Sequence, residues 1–363
     1  MKISFLSSSS GWGGLEQNLL RYARWMNEVG HDVELNCVAE TALAREAANQ
    51  GQRIRFIARQ PRHYPLRAAR VLRRHLQQNS TEVLWVRDPR DLSLCSGAVR
   101  GIKTRLLFHQ GMQIPKPKKA PWHALRFNQI DAWVAPLEHL QKQVLQNTSI
   151  PSHRVHVIPL ALGDHWFEHH RQSRNILRTE WGLPLDAQVV GLFGRLDSLK
   201  GQRTLLGALA QPEGLKWHAL LVGENTRDEL KDEQQTLQRL AQTLGVSDRV
   251  HWHAPVTDLR GAYDACDAFA MCSLSETFGM VTIEAMARNL PVIGTNAGGT
   301  PELLLHGEAG VLFEPNDSKA LARALADFKK WPIPPPGHRQ KFQKSTALKK
   351  WSQLLDSLRS SPS

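Results

Sequence analysis

Short apolar runs of strand length alternate with amphipathic stretches along almost the whole chain, in two consecutive blocks. A buried parallel strand reads as a continuous apolar run, whereas a covering helix carries its apolar residues on one face. In the first block this pattern predicts strands at residues 2–7, 32–38, 53–57, 83–86, 105–109, 132–135 and 155–158, and helices at 15–28, 42–49, 66–77 and 137–146. In the second it predicts strands at 189–193, 217–222, 250–253, 268–272, 292–294 and 311–313, and helices at 202–210, 228–243, 257–265, 279–288 and 318–328. Such alternation specifies two Rossmann-like, doubly wound α/β domains. Their expected extents are 1–165 and 166–339, joined through the His- and Arg-rich stretch 160–174, with 340–363 completing the first. A ligand is expected in a cleft between such domains, at the C-terminal ends of the strands. The proline-rich stretch 331–337 reads as neither helix nor central strand. Beyond it, Phe342, Leu348, Trp351, Leu354, Leu355 and Leu358 recur at helical spacing, so the last helix needs an apolar surface.

At 363 residues the chain can bury two cores without disulfide or metal staples. Cys37, Cys95, Cys266 and Cys272 form no CxxC pair and have no histidine at zinc spacing, the pattern of reduced thiols in a cytoplasmic protein. The apolar run at Met1–Leu6 is too short for a signal peptide's core, and no stretch approaches the roughly 20 apolar residues that span a bilayer. The net charge of +12 is uneven: 23 of the 46 Lys and Arg, but only 12 of the 34 Asp and Glu, precede residue 166. This imbalance points to an anionic partner, either nucleic acid or a membrane face.

Loops that follow predicted strands hold the chemistry. Ser275-Glu276-Thr277-Phe278-Gly279 leads into the helix that contains Glu284. Gly279 at a helix start lets a ligand approach the backbone, and the free amides there, with those of Met280 and Val281, favour a phosphate. Glu284 lies further along the helix, within reach of a ribose, and Glu276 faces the sugar beyond the phosphate. Taken alone, these residues fit an ordinary strand–loop–helix with solvated glutamates equally well. In Gly194-Arg195-Leu196-Asp197-Ser198-Leu199-Lys200-Gly201, Arg195 and Lys200 can neutralise one diphosphate leaving group without a metal. No Asp-x-Asp triplet is present. Gly11-Trp12-Gly13-Gly14 follows the first strand but lacks the closing glycine of a dinucleotide fingerprint, which disfavours a dehydrogenase. His109 ends a strand, where it either serves structure or orients a sugar hydroxyl. His251 and His253 share a strand face without a third ligand and read as non-metal.

Together these motifs resemble the retaining glycosyltransferases of family 4, of GT-B architecture and bacterial surface-polysaccharide or lipopolysaccharide type. The resemblance rests on Gly13-Gly14-Leu15-Glu16, the Gly194–Gly201 loop, Glu276 and Glu284 in their shared motif, Asn296-Ala297-Gly298-Gly299-Thr300-Pro301-Glu302, and Gly307-Glu308-Ala309-Gly310-Val311-Leu312-Phe313. It is strongest over 189–315 and looser before. It implies that Arg195 and Lys200 bind the donor diphosphate, helped by backbone at Gly13, Gly14, Gly279, Met280 and Val281. It also implies that Glu284 holds the ribose, Glu276 contacts the donor sugar above Phe278 and Gly279, and His109 lies near the anomeric carbon, with His109 and Glu276 as the catalytic pair. The implied donor is a nucleoside-diphosphate sugar, foremost a UDP-sugar. No cofactor or metal is implied, and the leaving phosphate takes the acceptor's proton.

Arg67, Arg70 and Arg74 fall on one helix face, with Arg62 and Arg73 nearby, while Lys116, Lys118 and Lys119 precede Trp122. Cations beside an aromatic suit a peripheral membrane surface, at about 1 kcal/mol per cation near anionic lipid. The expectation is a cytoplasmic enzyme on the inner face of the plasma membrane, acting on a lipopolysaccharide or lipid-linked glycan. A sugar-nucleotide epimerase or a phosphorylase of similar fold stays open as an alternative. A nucleic-acid partner is disfavoured, because no recognised nucleic-acid-binding motif is present.

Overall fold

The computed structural model describes residues 1–59, 65–168, 172–225 and 232–360. They form two compact units, one of Met1–Pro159 with the chain from Leu348 onward, the other of Leu160–Ala347. The first contains β1 (Lys2–Ser7), β2 (Asp32–Val38), β3 (Ile54–Ile57), β4 (Val83–Val86), β5 (Arg105–His109), β6 (Ala132–Ala135) and β7 (Val155–Val157). These make one parallel sheet in the order β3-β2-β1-β4-β5-β6-β7. The second contains β8 (Gln188–Phe193), β9 (Trp217–Val222), β10 (Val250–His253), β11 (Ala268–Met271), β12 (Val292–Thr295) and β13 (Val311–Phe313), in the order β10-β9-β8-β11-β12-β13. Both are doubly wound Rossmann-like sheets covered by helices, and every strand end lies within one residue of the sequence expectation.

Sheet order decides where ligands can sit. In the first unit β1 lies beside β4, and in the second β8 lies beside β11. Chain connections depart in opposite directions at these neighbours, so the loops beyond them part and leave a crevice. The second unit's crevice is flanked by the loop after β8 and the loop after β11. These are the two motifs with the most chemistry in the sequence.

Buried strands and apolar helix faces build each core. In the first, Trp85 stacks on Phe5 (ring centroids 4.9 Å) and Phe108 packs edge-on against Trp133 (4.7 Å). The last helix, Lys344–Ser360, buries Trp351 against Trp85, with ring centroids 4.2 Å apart. The second core joins Leu205, Leu206 and Leu209 to Trp217, Leu221 and Leu321. Side-chain caps fix several helix starts: Thr41 accepts from the Ala44 amide (3.2 Å), and Asp317 from that of Ala320 (2.8 Å).

The helices differ from expectation more than the strands do. Helices Leu92–Val99, Pro121–Phe127, Arg174–Glu180 and Thr300–Leu303 were not predicted. Leu92–Val99 buries Leu92, Leu94, Cys95, Ser96, Ala98 and Val99, so it has no polar face to reveal a helical period. The proline-rich stretch is not wholly free of helix, because Pro336 opens Pro336–Gln340. At the first helical position a proline's missing N–H costs nothing. The helix expected at 228–243 begins at Glu233, where Asp232 accepts from the Gln235 amide (3.0 Å); residues 228–231 lie outside the described residues. Leu162 donates its amide to Phe342 and accepts from Lys344, which ties the segment after Pro159 into the second unit.

Candidate functional site

In the second unit the loops after β8 and β11 are joined at several points. The Leu274 amide donates to the Leu199 carbonyl at 2.8 Å. Gly201, with φ +74°, lies so close to β11 that an added Cβ would stand 2.0 Å from the Cys272 carbonyl oxygen. No other residue fits there, by conformation and by space. Asp197 shapes the turn between Arg195 and Lys200: its carboxylate accepts from the Leu199 amide (2.9 Å) and its carbonyl from the Lys200 amide (3.2 Å). Gln202 donates to the Arg195 carbonyl at 2.8 Å.

This scaffold brings Lys200 to Glu276. Their Nζ and Oε2 atoms are 2.6 Å apart, with side chains 26% and 18% exposed. The Glu276 backbone is fixed separately, since its carbonyl accepts from the Gly299 amide at 2.8 Å. Arg195 is more open: its side chain is 60% exposed, and Nη2 lies 3.8 Å from Asp197. Gly279, at φ +91°, turns the chain into helix Met280–Ala287 without a side-chain cap. The early amides of that helix therefore lack the bonds an internal turn would supply. Phe278 is buried against Phe342, and Met280 and Val281 are half-buried.

Glu284 projects from the same helix to a partner that sequence reasoning missed. The buried Tyr263 hydroxyl donates to Glu284 Oε2 at 2.9 Å and lies 3.1 Å from the Val281 carbonyl. Burial, and next the charge of Glu284, hold the Tyr263 hydroxyl well above the usual phenol pKa, so it remains a donor. Trp166 in turn packs edge-on against Tyr263, at 5.9 Å. No local motif pairs residues 263 and 284; only the fold does.

The first unit holds the other residues singled out. Helix Gly14–Glu28 starts after Gly13, whose amide donates to the Glu16 carboxylate at 2.9 Å. His109 ends β5 with no exposed surface, enclosed by Tyr22, Trp85 and Trp351. Arg87 donates to its Nδ1 at 2.6 Å, so the ring is neutral with its proton on Nε2. Burial, then the Arg87 charge, keep the His109 pKa well below the usual range. Arg67, Arg70 and Arg74 are exposed along helix Leu66–Gln78, whereas Arg73 is spent on the Gly97 and Ala98 carbonyls. Arg62 lies outside the described residues. Lys116 and Lys119 are exposed and Lys118 half-buried, close in sequence to Trp122 (59% exposed). His251 meets His218 at 3.1 Å and His253 the Trp181 carbonyl at 3.0 Å. Among the described residues no group of His, Cys, Asp and Glu is placed to hold a metal, and no helix is long and apolar enough to cross a membrane.

Residues 12–162 match the Glycosyltransferase Family 4 model, and residues 173–348 match that of Glycosyl transferases group 1. The chain carries two glycosyltransferase domains. D-inositol 3-phosphate glycosyltransferase of Mycolicibacterium smegmatis is 37% identical over 147 residues, which are 40% of this chain and 33% of that protein. The chain thus spans about a third of the length of the curated relatives it matches. Among solved structures, a glycosyltransferase from Rickettsia africae ESF-5 superposes with a TM-score of 0.86 at 19% identity, covering 99% of each chain. Anabaena HepE, solved in complex with UDP and glucose, gives 0.82 at 24% identity, over 98% of this chain and all of that one. At such identities these likenesses show the fold, the paired Rossmann-like architecture of GT-B glycosyltransferases.

Proposed function

We propose that this chain is a retaining glycosyltransferase that transfers a sugar from a UDP-sugar to a lipopolysaccharide or lipid-linked glycan acceptor without a metal ion. The observation that carries the donor side is the Lys200–Glu276 pair at the β8/β11 crevice, beside the uncapped helix start at Gly279. Before the donor binds, the two side chains neutralise each other. An arriving diphosphate competes for Lys200, with Arg195 as a second cation and the amides of Gly279, Met280 and Val281 as further donors. Once released, Glu276 accepts hydrogen bonds from the donor sugar. Glu284, steadied by Tyr263, accepts those of the ribose. The UDP with which Anabaena HepE was solved favours uridine as the base.

In the transfer step the bond from the anomeric carbon to the diphosphate oxygen breaks, and the acceptor oxygen attacks from the same face. The acceptor's proton passes to the leaving phosphate, whose charge Lys200 and Arg195 stabilise. Backbone at Gly13 and Gly14 is assigned to the phosphate. His109, buried and neutral, is assigned to the sugar end through the loop that follows it. On the acceptor side, exposed Arg67, Arg70 and Arg74, together with Lys116, Lys118, Lys119 and Trp122, suit the anionic inner face of the plasma membrane. On this reading the enzyme works in the cytoplasm, peripheral to that membrane.

Incubation with UDP-glucose and a deacylated lipopolysaccharide or lipid-linked oligosaccharide, followed by mass spectrometry and NMR, tests the reading. Acceptor-dependent UDP release with a new linkage of the donor's own anomeric configuration is expected. An inverted product, or conversion of the sugar nucleotide without an acceptor, refutes it. Sedimentation with phosphatidylglycerol vesicles, but not with phosphatidylcholine vesicles, is expected for the membrane face.

A further inference from the structure

We infer that Arg87 is the cation of a second anion-binding subsite, in the first unit at the crevice between β1 and β4. Its occupant is a phosphate or carboxylate group. Arg87 follows β4 directly and is only 3% exposed. Among the described residues no carboxylate lies within ion-pair distance of it, and its single hydrogen bond goes to neutral His109. The nearby acids are engaged elsewhere. Asp88 takes Arg90 Nε and Nη2 at 2.8 and 2.5 Å, Asp91 takes the Ser8 amide at 3.0 Å, and Glu16 takes the Gly13 amide at 2.9 Å. Arg21, the other cation that Arg87 senses, donates to Asn18.

A buried charge without a counter-charge is costly, and such groups persist where something compensates them. Burial pulls the guanidinium pKa down to about 10, against the weaker opposing influence of Tyr22 and Glu16. Arg87 Nε is sealed from solvent with no protein partner, as are His109 Nε2, Trp85 Nε1 and Trp351 Nε1 nearby. The far end of the guanidinium lies near the side chain of Leu15, in the first turn of helix Gly14–Glu28. A Cβ placed on Gly111 would stand 3.5 Å from Arg87 Nη2 and 2.0 Å from Leu15 Cδ2. That helix presents its positive end here, and a side chain on Gly14 would meet no atom within 4 Å. A buried cation, a helix start and a bare glycine thus converge beyond β1 and β4.

Two sources fit the chemistry: the diphosphate of a nucleotide sugar, or an anionic group on the acceptor. The subsite shares its helix start with the backbone assigned above to the phosphate, and the source of its anion rests on the transferase reading; anion binding by Arg87 does not. The first measurement is thermal unfolding of an Arg195→Ala/Lys200→Ala protein, which removes the two cations assigned to the donor diphosphate in the second unit, with inorganic phosphate titrated at constant ionic strength. The midpoint is expected to rise with phosphate. Arg87→Met in that background should lose the response while unfolding, without phosphate, at the same or a higher temperature. Arg87→Lys should keep a weaker response. No response in the parent, an undiminished response in Arg87→Met, or a marked fall in that variant's phosphate-free midpoint overturns the inference; the last makes Arg87 a structural strut. In the otherwise wild-type protein, Arg87→Met that weakens UDP-glucose binding at least tenfold assigns the donor phosphate. An equal rise in acceptor KM with unchanged donor affinity assigns the acceptor, and no change in either overturns a role in turnover.

Discussion

Lys200→Met separates a structural role for the Lys200–Glu276 pair from a ligand-binding one. The pair is partly exposed, at 26% and 18%, and such ion pairs contribute about 0.2–1 kcal/mol after solvent screening. For a unit of this size that corresponds to a fall in Tm of at most about 4 °C. A charge-assisted hydrogen bond to phosphate is worth more, about 1.5–3 kcal/mol. Calorimetric titration with UDP should therefore show Kd rising roughly 10- to 150-fold, while the unfolding midpoint barely moves. Glu276→Gln should act differently. It frees Lys200 from its internal partner, so UDP should bind as tightly as before or more tightly, while the extra affinity of UDP-glucose over UDP shrinks. A Lys200→Met protein with unchanged UDP affinity and a Tm lowered by about 10 °C or more would refute the ligand-binding role. The pair would then be a strut between two loops and not a phosphate site.

Two further substitutions probe the supports of the fold and site. Tyr263→Phe removes a buried donor to Glu284 and should cost about 1.5–3 kcal/mol in chemical unfolding. It should also raise the donor KM more than it lowers kcat, and a 2′,3′-dideoxy-UDP-sugar, which lacks the ribose diol, should show a smaller KM change. Asp91 has its carboxyl pKa raised from 3.8 to about 6, chiefly by burial, although its bonds to Ser8 oppose this. The folded state then binds that proton more tightly than the unfolded chain, so this group's contribution to stability falls as pH rises through the window from about 4 to 6. Asp91→Asn should gain on the wild type by about 3 kcal/mol across that window and run parallel to it above, in urea unfolding from pH 4 to 8. A difference independent of pH contradicts the assignment.

The central strands were legible because they are buried on both faces, and a run such as Ala268-Phe269-Ala270-Met271 has no alternative that hides it from water. The loops were legible because glycines and charges cluster directly after those runs. What escaped was tertiary. Leu92–Val99 lacks a polar face, and Pro336 starts a helix where its position in the chain suggested a break. Tyr263 reaches Glu284 across 21 positions, and Arg87 reaches His109 across 22. His109 looked like a residue at a strand mouth. Its enclosure depends partly on Trp351, from a helix more than 240 residues later. Neighbourhood in sequence carries no trace of such contacts.

The β8/β11 crevice of the second unit is proposed to bind a nucleoside-diphosphate sugar through Lys200, Glu276 and Glu284. Calorimetric titration of UDP-glucose into the wild type and into Glu284→Ala tests it most directly. Saturable one-to-one binding by the wild type is expected, with a loss of at least tenfold in affinity in the variant and a fall in Tm no larger than that of Tyr263→Phe. Equal affinity in the two proteins contradicts the site. Absence of binding by the wild type to UDP-, GDP- and ADP-sugars alike contradicts the claim itself.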